Sequence, residues 1–225
     1  MGYVAIVIVI AGFAPRLVDT SRRAAPLTPL VAVHAALCSA WLLVYLLQTY
    51  LIGAHARRVH RTLGLLSIPL AVTLVAVGYA TAVATARRGF DLSGVLRTGH
   101  PLTELVFPLG DLVSFSALAG AGFLWRARPQ AHKRLMLLAT VGSLMAAPLA
   151  HLLGVLLQPA GSPPLIVLML ALLYFSAAMH DRLRDGHVHP VSLWGGAALL
   201  VWANVRAAVI GPSDAWQRFA AWLVH

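Results

Sequence analysis

Ten histidines stand in this 225-residue chain, against seven Asp and Glu. Imidazole is a common metal ligand and the side chain that titrates nearest neutrality, so any chemistry would reside in these histidines and the few carboxylates. His34, Cys38, Trp41, Tyr45 and Gln48 follow one another at steps of four, three, four and three, which puts all five on one helix face. Two readings fit that stripe. Either it packs the helix on its neighbours through a few hydrogen bonds, or His34 ligates a cofactor whose pocket Trp41 and Tyr45 line. Glu104, Asp111 and Leu118 recur at seven and share another face. Asp111 lies about 10 Å beyond Glu104, and a carboxylate at that depth needs a partner: His34, His151 or a basic loop residue. His132 and His151 bracket one apolar stretch and are about 28 Å apart along a helix, so they cannot share a site. Ser143, Ala147, Ala150, His151 and Gly154 form a small-residue face that allows close helix approach and turns His151 inward; Pro148 is expected to kink that helix.

The elements that position these side chains are membrane helices. The chain is 60% apolar and 11% charged, with a mean hydropathy of +0.81. A soluble domain has about 25% charged residues and about 45–50% apolar ones. An ordinary cytosolic enzyme and a disordered protein are both excluded. A spanning helix needs about 20 mostly apolar residues. Apolar runs cover 30–52, 63–86, 101–125 and 135–157, with shorter or weaker ones at 164–179 and 193–210. Asn204 and Arg206 interrupt the last of these. A short first helix over 3–14 lacks a basic flank before it and is followed by Arg16, Arg22 and Arg23, which argues against a cleaved signal peptide. The tail over 215–224 mixes Trp216, Phe219 and Trp222 with Arg218, as expected of a helix lying in the membrane interface. The reading is an all-α polytopic transmembrane bundle of six or seven helices, forming one domain over 1–225.

The net charge of +10 comes from short basic clusters between apolar runs, such as Arg57, Arg58 and Arg61, or Arg126, Arg128, Lys133 and Arg134. That is the pattern of membrane-boundary loops and anionic-lipid attraction, not of nucleic-acid binding. The density of basic residues over 54–62 and 126–134 favours a cytoplasmic location for those two loops. Cys38 is the only cysteine, so no intramolecular disulfide forms.

Helix direction sorts the histidines. His34 and His151 fall on one side of the membrane with His100, Glu104 and Asp111. His60 and His132 fall on the other with His55, His180, His187 and His189. Two histidine clusters on opposite faces of a small bundle suit two b-type haems, each held by imidazoles from two helices: His34 with His151, and His60 with His132. The second pair is the less persuasive: His60-Arg61 and His132-Lys133 read more readily as boundary residues that anchor the interface or hydrogen-bond a neighbouring loop. The stretch Gly186-His187-Val188-His189-Pro190 offers a bare His-x-His. No phosphate-binding glycine loop, zinc-protease motif or nucleophile elbow is present.

Several stretches together are specific: Ala11-Gly12-Phe13-Ala14-Pro15, the His34…Trp41…Gln48 helix, His60-Arg61-Thr62-Leu63-Gly64, Pro108-Leu109-Gly110-Asp111, His132-Lys133-Arg134-Leu135-Met136-Leu137-Leu138-Ala139, Gly186 to Pro190, Leu193-Trp194-Gly195-Gly196 and the Trp216…Trp222 tail. In these the chain resembles, nearly end to end, a family of uncharacterised bacterial polytopic membrane proteins. That resemblance implies a membrane fold and no particular activity. The family pattern often carries His-x-His at the start of its second helix; here the first of those positions is Ala32, which counts against a site needing both. The His60 to Gly64 stretch is also similar to cytochrome b561-type proteins. The His-Lys-Arg-Leu-Met stretch is similar to small membrane proteins that assist terminal-oxidase assembly.

The leading expectation is therefore a haem-b-binding transmembrane electron-transfer protein of the bacterial inner membrane, working with a membrane redox partner or quinone. His34, His151, His60 and His132 would be its metal ligands; Trp41, Tyr45 and Asp111 would complete the cofactor sites. The alternatives are a structural or respiratory-assembly protein that handles copper or haem, and a small-solute transporter coupling protons through Asp111 and His151.

Overall fold

The computed structural model describes residues 7–13, 26–90, 100–149, 152 and 163–225. Every regular element among them is helical. After a helical stretch over 7–13 come α1 (Pro29–Gly53), α2 (Arg57–Arg87) and α3 (Pro101–Leu124). Then follow α4 (Pro129–Leu137), α5 (Pro163–Asp185), α6 (Pro190–Val205) and α7 (Asp214–Val224). Proline opens five of these helices, where its missing N–H costs nothing and its fixed φ suits the first turn. Side-chain caps reinforce three starts: Thr28 accepts from the Val31 amide, His189 from Val191 and Ser213 from Trp216. Gly186, at a φ of 73°, ends α5, because a left-handed residue past a helix terminus favours glycine.

Four helices among the described residues are long and apolar enough to cross a membrane: Pro29–Gly53, Arg57–Arg87, Pro101–Leu124 and Pro190–Ile210. Hydropathy places the ends of the helices expected over 30–52 and 101–125 to within a residue, and falls short where polar residues extend a helix. The helix expected over 63–86 begins at Arg57, that over 135–157 at Pro129, and that over 164–179 runs on to Asp185. At 31 residues, α2 is about 46 Å long. A hydrocarbon core of about 30 Å leaves its basic first turns outside, which sets His60 at the boundary.

Proline also shapes the interiors. Pro108 has no amide to give to the Glu104 carbonyl, and α3 breaks at Leu105 into Pro101–Glu104 and Val106–Leu124. Ahead of Pro148, α4 runs on as a π-helix over Leu138–Leu144. Pro148 cannot serve the Leu144 carbonyl, and the π stretch ends there. A second π stretch, Arg206–Ile210, continues α6.

The helices pack mainly as sequence neighbours: α1 on α2, α2 on α3, α3 on α4 and its π extension, and α5 on α6. Trp41 fills the centre beside Leu74, Phe115 and Ala139. Its ring meets Phe115 edge-on at 5.0 Å, and its Nε1 donates to Thr140 at 3.1 Å. Leu138, Val141 and Met145 form a second cluster with Leu173, Tyr174 and Leu199. The outward faces carry exposed Leu43, Leu66, Val72, Leu172 and Val201, as a lipid-facing surface requires. Helix α7 crosses one end of the bundle. Trp216 Nε1 donates to the Leu102 carbonyl at 2.8 Å and Gln217 Nε2 to Thr103 at 2.9 Å, while Ala220 is fully buried against Ala82, Ala86 and Leu105.

Candidate metal-binding and charge-paired sites

His60, in the first turns of α2, and His132, in the first turn of α4, meet at the membrane boundary. Their ring centroids are 6.3 Å apart and nearly perpendicular. His132 Nδ1 lies 2.7 Å from the Gly122 carbonyl. Because a carbonyl only accepts, that nitrogen carries a proton, which leaves Nε2 as the ring's candidate ligand atom. This is how metal-ligating histidines are commonly oriented. His60 Nδ1 is buried with no hydrogen-bond partner among the described residues, and the Gln48 backbone faces the same ring. Met136, one turn beyond His132, rests its Sδ against Gly122.

The other expected site residues are distributed differently. His34 lies against Gly78 of α2; its Nε2 is 3.6 Å from Cys38 Sγ and its Nδ1 is buried without a partner among the described residues. Tyr45 is half-buried on the same stripe, and Trp41 is buried at the helix contact. His151, expected opposite His34, lies outside the described residues. No group of three or more His, Cys, Asp or Glu able to hold a metal occurs among the described residues. His187 and His189 serve the α5–α6 turn: His187 Nδ1 bonds the Asp185 carbonyl at 2.9 Å, and His189 Nδ1 accepts from Val191 at 3.1 Å.

Asp111 finds its partner on the last long helix. Arg206 Nη1 donates to Asp111 Oδ1 and to the Phe107 carbonyl, both at 2.8 Å. The guanidinium sits over the rings of Trp202 and Phe107, 5.5 and 5.9 Å from their centroids, and Trp202 Nε1 donates to the Gly110 carbonyl at 3.1 Å. Arg206 Nε is buried without a partner among the described residues. A Cβ at position 110 would collide with the Arg206 side chain, so glycine there gives the arginine its passage. The partner expected among His34, His151 and the basic loop residues is instead Arg206, a charge inside an apolar run that itself needs a partner.

A second buried ion pair ties α4, α5 and α6 together near the His60–His132 side. Arg134 Nε lies 2.9 and 3.1 Å from the two Asp181 oxygens, and Nη2 is 2.7 Å from Oδ1. Arg134 Nη1 donates to the Gln130 carbonyl and side chain at 2.9 and 2.7 Å. Ser192 Oγ donates to Asp181 Oδ2 at 2.6 Å, and the His189 amide adds a bond at 3.3 Å. Both side chains are about 95% buried. Burial by itself would raise the Asp181 carboxyl; the bonds from Arg134, Ser192 and His189, then the guanidinium charge, outweigh it and hold the group at about 2. His189 is pushed below its ordinary value, first by burial and then by the Arg134 charge. In the sequence Arg134 reads as one more boundary arginine and Asp181 carries no motif, so only the packing of three helices brings them together.

Among the described residues, fold and sites define a helical protein with four helices able to cross a membrane, two buried ion pairs and a histidine pair near one end of those helices. No protein-family model matches the chain, and no characterised protein or solved structure matches it.

Proposed function

We propose that the protein is a multi-pass protein of the bacterial inner membrane, with six or seven spans, that binds a transition metal through His60 and His132 and carries electrons as a haem b protein. One observation carries this reading: two histidines 72 positions apart in sequence lie ring to ring, with one Nδ1 engaged by a carbonyl and the other unpartnered among the described residues. Haem iron takes neutral imidazole nitrogens from two helices, and this donor set fits that need. His34, with its buried, unpartnered Nδ1, would supply the opposite site together with His151, with Trp41 and Tyr45 on the His34 face and Asp111 on the same side of the membrane. When bound, the haem would supply one-electron chemistry; a membrane redox partner or quinone would exchange those electrons. The chain's own contribution is to orient the imidazoles.

Met136 beside Gly122 supports a second reading, in which the His60–His132 pair holds copper during respiratory assembly. Thioether and imidazole ligands together suit cuprous ion.

One preparation tests both. The full chain is purified in detergent from cells with ample haem and copper. Visible spectra are recorded before and after dithionite, and copper is measured by mass spectrometry. Sharp α and β bands on reduction, lost in His60→Ala and His132→Ala, are expected for haem. A colourless protein with copper that both substitutions remove supports the second reading. A folded protein with neither rejects both.

A further inference from the structure

At the end of the bundle where α7 lies, a groove of about 550 Å³ opens between α1, α2 and α7. Leu30, Tyr79, Val83, Arg87, Trp222 and Leu223 line it. We propose that this groove binds one anionic phospholipid of the surrounding bilayer, with the phosphate on Arg87 and an acyl chain running along α2 past Val83 to Tyr79.

The groove has the polarity of such a lipid. Among the described residues, Arg87 is the only charged side chain lining it. Tyr79 lies two turns back along α2, about 12 Å from Arg87, and the wall between them is apolar. A headgroup at Arg87 therefore places the upper acyl chain against Val83. The site stands at the end of a helix able to cross the membrane, at the depth where phosphates lie and where aromatic residues collect. Tyr79 and Trp222 are 45% and 73% exposed, open to the bilayer on either side of the cation. Arg87 Nη2 also donates to the Leu223 carbonyl at 3.2 Å, so the same side chain that would hold the phosphate ties down the last turn of α7. Occupancy of the groove and docking of that helix are thereby linked. A basic pocket among membrane helices is a recognised lipid-headgroup site. This site is independent of the His60–His132 pair, which sits at the opposite boundary.

The test is native mass spectrometry of the full chain in detergent, titrated separately with phosphatidylglycerol and phosphatidylcholine. The expected result is one retained phosphatidylglycerol, favoured about fivefold over phosphatidylcholine, as a single arginine near the membrane surface provides. Arg87→Gln should bring the two lipids to parity. Ala80→Trp fills the groove from an exposed position on its wall while keeping Arg87, and should abolish retention of the first lipid. Arg126→Gln, at the opposite boundary, should leave the preference intact. Equal retention of both lipids by the wild type overturns the proposal, as does a preference that survives Arg87→Gln. A wild-type dimer that Ala80→Trp dissociates also overturns it, because a second copy of the chain would then be the occupant.

Discussion

Replacing Asp181 by Ala should be strongly destabilising. Arg134 is 4% exposed and directs Nε and Nη2 at the Asp181 carboxylate. A carboxyl held at about 2 rather than its ordinary 3.8 contributes about 2.5 kcal/mol of native-state stability at neutral pH. Because the folded value is the depressed one, that contribution is complete above pH 3.8 and disappears as the pH falls through about 2. Removing the side chain costs more than this linkage figure, since it strands a buried guanidinium: about 3–5 kcal/mol. Arg134→Met should cost a similar amount by stranding the carboxylate. The double variant Arg134→Met/Asp181→Leu removes both charges at similar volume, and should lie within about 1–2 kcal/mol of the wild type. The measurement is reversible unfolding in mixed detergent micelles by denaturing detergent, run as a double-mutant cycle at pH 7. If each single variant loses less than about 1 kcal/mol, the range of an exposed pair, the burial argument fails. Strict additivity in the cycle would equally show that the two groups do not act as a pair.

Three further outcomes follow from the contacts. Gly110→Ala should displace Arg206 from its channel beside α3 and destabilise by about 1–3 kcal/mol or more as overpacking; unchanged stability would show that the arginine has another route. Trp41→Phe should cost about 1–3 kcal/mol by leaving the fully buried Thr140 hydroxyl without its donor. Thr140→Val in that background should add little, which the same unfolding assay reads. The folded His189 titrates below its ordinary 6.5, so the unfolded chain takes up its proton first. Stability should therefore decline as the pH falls below 6.5, and should recover toward neutrality. His189→Asn retains a capping acceptor and should flatten that decline; an identical pH profile in the variant would remove His189 from the account.

The stripe from His34 to Gln48 shows how far reading from residues can go. Its spacing alone places Trp41 among the inward-facing positions, and the structure buries Trp41 where α1 meets α3 and α4. The depth of Asp111 likewise announces that a partner exists. Which partner was not legible: Arg206 lies 95 positions away, in a run whose polarity reads only as a weak span. The ends of α4 and α5 escaped for a related reason. Arg134 and Asp181 lie beyond the apolar stretches, and each is polar enough by itself to suggest a loop. Inside the bundle each neutralises the other.

Hydropathy and helical periodicity act along the chain, one residue against its neighbours within a few turns. They are sufficient to show a helical chain with helices apolar enough to cross a bilayer, and to mark Trp41 as an inward-facing position. The meeting of His60 with His132, the choice of Arg206 for Asp111 and the knot of Arg134, Asp181, Ser192 and His189 depend on how separate helices cross. Those contacts are decided by side-chain volume and by the need to neutralise every buried charge, conditions met only once all the helices are packed.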